Sequence, residues 1–96
     1  MEEVEATIYD GDNVMISGIT MLLDAKDAPG GTTDGPGWHA HAALPLSLIL
    51  EPREQMRIET ADGRSGAVIL DGPPTLEGDR ALHVFTGTGP LKRPGA

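Results

Sequence analysis

Residues 55–70 constrain the fold of this chain most strongly, because they combine two strand patterns with a tight-turn signal. Apolar or neutral residues alternate with charged ones over residues 56–60, as in a strand with one buried face and one solvated face. Asp62-Gly63 follows, and this dipeptide favours a hairpin turn because both residues tolerate positive φ. The apolar run at residues 67–70 predicts a return strand buried on both faces. The stretch therefore predicts a β-hairpin.

Further strands are predicted on both sides of this hairpin. Residues 4–8 alternate between apolar and polar side chains, which predicts a first strand with an acidic outer face. The apolar positions of residues 14–23 change from even to odd numbers at Ser17-Gly18, and a β-bulge or bend at Gly18 explains the change. Residues 38–50 alternate again, but Pro45 cannot donate to a ladder, which predicts an edge strand or a break there.

The remaining segments complete an all-β prediction. Residues 47–50 can form one helical turn, and residues 81–86 form the last strand. The Gly- and Pro-rich residues 24–37 predict a flexible loop, and residues 87–96 predict a loose tail. About six short strands result, with at most one short helical turn, in a single domain over residues 1–96. This is the pattern of a small antiparallel β-barrel or a compact sandwich, and closure into a barrel removes exposed strand edges.

Composition excludes several classes of function. The chain has no cysteine, so disulfides, thiolate metal sites and cysteine nucleophiles are ruled out. A formal net charge of −8 opposes the counterion displacement that nucleic-acid binding requires. No apolar run approaches the length of a membrane span, and the acidic N-terminus does not resemble a signal peptide. The sequence predicts a cytoplasmic protein that binds neither nucleic acid nor membrane.

Three histidines suggest metal chemistry. His39 and His41 are two residues apart on a predicted strand, so their side chains share one face and can reach one Zn, Fe or Ni ion. His83 can supply a third ligand from another strand, and three histidines with an open position generate hydroxide near neutral pH. Alternatively, if Trp38 and Ala40 face the core, His39 and His41 are polar residues of an exposed strand face.

Two arginines suggest anion binding. Arg53 and Arg57 have the RxxxR spacing that resembles the PilZ barrels, in which two guanidiniums clamp the phosphates of a cyclic dinucleotide. In those barrels an Asp/Asn-x-Ser-x-x-Gly segment follows well downstream, whereas residues 62–66 follow almost immediately and have the serine one position late. The resemblance implies a small-ligand-binding barrel. The alternative is that Arg57 faces an acidic neighbour on an ordinary strand surface.

No catalytic constellation stands out, which favours a binding module over an enzyme. The sequence predicts a non-enzymatic module that requires no cofactor and acts through protein partners or by self-association. Trp38, beside the loop at residues 26–37, is a candidate recognition anchor, because amphipathic indoles often fill that role. The alternative is that Trp38 belongs to the core of a barrel that has few other aromatic side chains. A metal-dependent protein that uses the three histidines is the second hypothesis.

Overall fold

The computed structural model describes residues 2–24, 33–48, 50, 56–70 and 72–93 of the chain. Most of these residues lie in β-strands, which confirms the predicted all-β class. One 3₁₀ turn, Leu46–Leu48, lies between the third and fourth strands. The described part of the chain contains no helix with the length and apolar character that a membrane crossing requires. The strands in chain order are β1 (Glu2–Asp10), β2 (Asn13–Asp24), β3 (His39–Pro45), β4 (Met56–Thr60), β5 (Ser65–Leu70), β6 (Thr75–Glu77) and β7 (Arg80–Gly87).

Antiparallel pairing closes six of these strands into a barrel. The order around the wall is β1, β2, β3, β7, β5 and β4, and pairing of β1 with β4 completes the ring. The short strand β6 pairs with β7 beyond the end of β5. The closed barrel confirms the predicted architecture. The strand break predicted at Pro45 is also confirmed, because β3 ends at this residue.

The hairpin predicted at residues 55–70 is present as β4 and β5, joined by a turn over residues 61–64. Met56–Thr60 alternates between buried and half-buried residues as predicted. The prediction that residues 67–70 are buried on both faces is wrong. Ala67 and Ile69 lie on the outer face and are exposed, while Val68 and Leu70 face the interior. The apolar outer positions hid the alternation in the sequence.

The bulge predicted at Gly18 is confirmed. The register of β1 and β2 shifts between the pairs Ala6–Ile19 and Ile8–Ile16, so β2 has an extra residue at this point. Gly18 adopts a φ of 67°, a conformation that residues with a Cβ rarely enter. The extra residue restores the inward direction of the later apolar side chains, and Met21 is buried as a result.

The predicted loose tail is attached to the barrel through its described part. Leu91 is fully buried, and its carbonyl accepts a hydrogen bond from the Thr33 amide at 2.9 Å. Lys92 and Ser65 exchange two backbone hydrogen bonds of 2.8 and 2.9 Å. Gly87 belongs to β7 itself. Residues 25–32 of the predicted loop and residues 94–96 of the predicted tail lie outside the described residues.

Candidate functional site

The three histidines of the predicted metal site lie on two different faces of the barrel wall. His39 and His41 are half-buried on the outer face of β3, where they alternate with buried Ala40 and Ala42. His83 pairs with Ala42 in the neighbouring strand β7 and is fully buried inside the barrel. The structure therefore does not bring the three together. No group of three or more His, Cys, Asp or Glu that could hold a metal ion occurs among the described residues.

His83 is a core residue that uses both of its ring nitrogens. Its Nε2 accepts a hydrogen bond from the Leu50 amide at 3.0 Å, and its Nδ1 lies 3.0 Å from the carbonyl oxygen of Ala81. The neutral tautomer with its proton on Nδ1 satisfies both contacts. The ring also stacks on Phe85, with the centroids 6.4 Å apart. His83 thus fastens Leu50 to β7 and offers no free nitrogen to a metal ion.

Trp38 lies in the core, which corrects its predicted role as an exposed anchor. Its side chain is fully buried, and the indole nitrogen donates a hydrogen bond to the Gly89 carbonyl at 2.8 Å. A Cβ built on Gly87 would lie 2.3 Å from the indole Nε1, and one on Gly66 would lie 2.6 Å from Cζ2. The absence of side chains at these two glycines creates the space for the ring. Trp38 therefore fills the barrel, in agreement with the alternative interpretation.

The two arginines of the predicted anion clamp cannot be compared as a pair, because Arg53 lies outside the described residues. Arg57 is on the outer face of β4, with its guanidinium 4.2 Å from the centroid of the Tyr9 ring. Its Nη1 lies 3.4 Å from Oε2 of Glu59. These neighbours correspond to an ordinary charged strand surface. The clamp with Arg53 stays a prediction.

A partly apolar patch covers the outside of three adjacent strands. We name it the β2–β3–β7 face and define it by five outward-facing residues: Leu22, His41, Ala43, Leu82 and Val84. Leu22 is 42% exposed. A groove of about 410 Å³ runs over this face, and its lining also includes Glu3 and Arg80.

The strand registers arrange this surface in rows that begin at a carboxylate. Residues paired directly across neighbouring strands share one face of the wall. The first row crosses β1, β2, β3 and β7 and consists of Glu3, Leu22, His41 and Val84. The second row crosses β2, β3, β7 and β5 and consists of Asp24, His39, Thr86 and Ile69. Glu5 begins a third row beside Thr20. Carboxylates therefore border the β2–β3–β7 face, and beyond them the rows contain both aliphatic and polar side chains.

The carboxylates at the start of the three rows are available for external partners. Glu3, Glu5 and Asp24 make no ion pair with any other residue that the structure describes. Glu3 and Glu5 are exposed, and Asp24 is half-buried. Unpaired carboxylates next to aliphatic side chains can attract a partner of opposite charge.

Sequence reasoning missed a buried ion-pair cluster around Arg64. The Arg64 side chain is fully buried, with Nη1 3.1 Å from Oε1 of Glu2 and Nη2 2.9 Å from Oε2 of the same carboxylate. Its Nε lies 3.1 Å from both carboxylate oxygens of Asp62. An arginine directly after an Asp-Gly turn is normally solvated, so nothing in the sequence pattern signalled its burial.

The cluster shifts the acid–base properties of its members. Hydrogen bonds from Arg64, and then from the Thr60 hydroxyl, lower the pKa of Asp62 to about 2. Burial acts to lower the pKa of Arg64, but its hydrogen bonds with Glu2 and Asp62 outweigh burial and raise the pKa above its usual value. The guanidinium and both carboxylates are engaged with one another. The cluster therefore links the start of β1 to the β4–β5 turn and is not an open binding site.

The β2–β3–β7 face was also missed, and the sequence holds only a weak signal for it. Leu22 is next to buried Leu23, and Val84 lies between buried His83 and Phe85, so an apolar residue stands where alternation predicts a polar one. Such pairs are too common in strands to identify a surface. No protein-family model, curated protein or solved structure matches this chain. The candidate site is therefore defined by its geometry alone.

Proposed function

We propose that this chain is a non-enzymatic interaction module that binds a protein partner on the β2–β3–β7 face. The main support is the exposure of Leu22 on the outer side of a closed barrel, at a groove whose lining also includes His41, Ala43 and Leu82. A barrel wall normally presents polar side chains to solvent. Aliphatic side chains around a groove on such a wall, bordered by charged residues, favour an interaction site.

The packed interior supports external binding over an internal ligand cavity. The core includes large side chains from opposite parts of the wall, among them Trp38, Phe85, Ile8, Met56 and Leu91. Small barrels of about this strand number are filled by their own side chains. The outer surface is then the part of the barrel that is open to partners.

The last residue of β2 and the first residue of β3 border the same face. β2 ends at Asp24 and β3 begins at His39, and these residues are register partners in the second row. The sequence-based proposal that residues 26–37 take part in recognition is therefore compatible with a partner seated on the β2–β3–β7 face. Loops at the end of a rigid scaffold often extend a binding surface in this way.

Composition supports a cytoplasmic location and a partner other than nucleic acid. The absence of cysteine fits a reducing compartment, and we place the protein in the cytoplasm. The net charge of −8 argues against nucleic acid as the partner, because phosphate groups would be repelled.

Selection from a random 12-residue peptide display library, with the folded chain as target, tests the proposed function. Enriched peptides are synthesised, and their binding sites are mapped by NMR chemical-shift perturbation. We expect the largest shifts at the β2–β3–β7 face. Leu22→Glu replaces the exposed leucine of that face with a carboxylate and should weaken binding at least about tenfold.

Val14→Glu is the matched control. Val14 is 57% exposed and lies at the other end of β2, next to the β1–β2 turn. This variant introduces the same charge at an exposed apolar position outside the face, so binding should change less than about twofold. Failure to enrich any peptide, or equal effects of the two variants, would overturn the proposed function.

A further inference from the structure

Resting on the proposed function, we infer that the partner is a cationic amphipathic protein segment. Its basic side chains lie over Glu3 and Glu5, and its apolar side chains contact Leu22 and Leu82. The position of the unpaired carboxylates of β1 beside exposed Leu22, together with the size of the face and the charge of the whole chain, carries this inference.

The spacing of the carboxylates fits regularly placed basic residues. Glu3 and Glu5 are two residues apart on β1 and point to the same side. Their separation along the strand is about 6.8 Å. Side chains four residues apart on a helix, or two apart on an extended segment, are separated by a similar distance of about 6–7 Å. Two basic residues of one segment can therefore meet both carboxylates at once.

The aliphatic part of the face lies within reach of the same segment. Leu22 is the register partner of Glu3, so it is one strand spacing away, about 4.8 Å. Leu82 is on β7, two strands and one row beyond Leu22, at a separation of about 12 Å. A helix with its side chains is about 10–12 Å wide, so it can contact Leu22 and Leu82 together while its long basic side chains extend back over the carboxylates one strand away. One side of the segment then contacts carboxylates while another side contacts Leu22 and Leu82.

The size of the face favours a single segment over a second copy of the chain. Four strands and three rows measure about 14 by 13 Å, or about 200 Å², whereas each partner in a stable protein–protein interface buries about 800 Å². The net charge of the chain also favours a single segment over a second copy. Two copies would each bring a net charge of −8, and their mutual repulsion opposes association. The same charge attracts a cationic segment and accelerates its encounter with the barrel.

The peptides enriched in the library selection provide the test. We expect them to carry net positive charge together with apolar residues. Their affinity should fall at least about fivefold between 0.1 and 1 M NaCl, because the Debye length decreases from about 10 Å to about 3 Å. The double variant Glu3→Lys/Glu5→Lys should weaken binding about tenfold, because attraction becomes repulsion at the contact.

A second double variant controls for the overall change in charge. Asp12→Lys/Asp79→Lys changes the net charge by the same amount at exposed turn positions outside the face, so affinity should change less than about threefold. Thermal unfolding of both double variants establishes that each is folded before binding is measured.

The outcomes separate this inference from the proposed function. Peptides that map to the face but are neutral or acidic, and whose affinity is insensitive to salt, would overturn the cationic partner and leave the proposed function intact. Equal weakening by the two double variants would also overturn it, because attraction would then depend on total charge and not on Glu3 and Glu5. If no peptide maps to the face, the proposed function fails and this inference fails with it.

Discussion

Trp38 shows how one buried side chain restricts residues that are distant in sequence. Its ring occupies space that a Cβ at Gly66 or Gly87 would fill, and its indole nitrogen is satisfied by the Gly89 carbonyl. A core with two aromatic residues, Trp38 and Phe85, depends on each of them for volume. The glycines around Trp38 are therefore packing residues, even though the sequence suggests only turns and flexible backbone.

Gly87→Ala should destabilise the barrel by about 3 kcal/mol, because the new methyl group would overlap the indole and force the ring or β7 to move. Urea unfolding followed by Trp38 fluorescence measures the change. Gly35→Ala is the matched control, because a Cβ there meets no atom within 4 Å. That variant should be neutral or slightly stabilising, within about 1 kcal/mol. Similar stability for the two variants would contradict the packing role of Gly87.

At the scale of elements, the β4–β5 turn reverses the chain and also joins segments that are distant in sequence. Arg64 leaves this turn for the interior and joins Glu2 at the start of β1 to Asp62 in the turn. Two backbone hydrogen bonds between Lys92 and Ser65 attach the C-terminal segment beside this turn. The turn thus connects segments from both ends of the described chain, and its charges should affect the stability of the whole barrel.

Asp62→Asn should lower the free energy of unfolding by about 1 kcal/mol at pH 7, a value reduced for solvent screening because the Asp62 side chain is 42% exposed. The pKa of Asp62 is about 2 in the folded protein, below the ordinary value of 3.8 that applies to the unfolded chain. The unfolded state therefore takes up a proton first as the pH falls. The stabilisation is therefore complete well above pH 4 and is lost as the pH falls through about 2.

Urea unfolding of wild type and Asp62→Asn at pH 7, 4, 3 and 2 checks this dependence. The difference between the two proteins should shrink steadily from pH 4 to pH 2. Asp12→Asn removes the same charge from an exposed turn, and its effect at pH 7 should stay within about 0.5 kcal/mol. A difference between wild type and Asp62→Asn that is constant over this pH range would contradict the proposed ionic role of Asp62.

Sequence patterns predicted the elements better than the surface that we propose for binding, and the reason is physical. Alternation at residues 56–60 and the phase change at Gly18 reflect burial on one face of a strand, so both predictions were confirmed. The outward Ile69 broke the same rule because it is an apolar residue at an exposed position, beside Thr86 on the outside of the wall. An apolar residue at an outward position hides alternation whether it is buried by other elements or exposed, so local pattern alone does not distinguish the two cases.

The contacts that individual side chains make were the least predictable feature of the structure. The outward direction of His39 and His41 can be inferred from alternation with apolar Trp38 and Ala40. The inward direction of His83, in contrast, depends on the register between β3 and β7. Register between strands that are distant in sequence is not encoded in local periodicity. The burial of Arg64 likewise depends on Glu2, which is 62 residues away in the sequence.

At the scale of the whole molecule, the charge of −8 and the small area of the β2–β3–β7 face together predict a monomer. Sedimentation equilibrium at 0.15 M NaCl, up to about 100 μM protein, should give one species of 10.1 kDa. The face contributes too few aliphatic groups to overcome the repulsion between two acidic barrels. A species of twice this mass that Leu22→Glu converts to monomer, while Val14→Glu does not, would show that a second copy occupies the face. The cationic segment would then have to compete with self-association for Leu22.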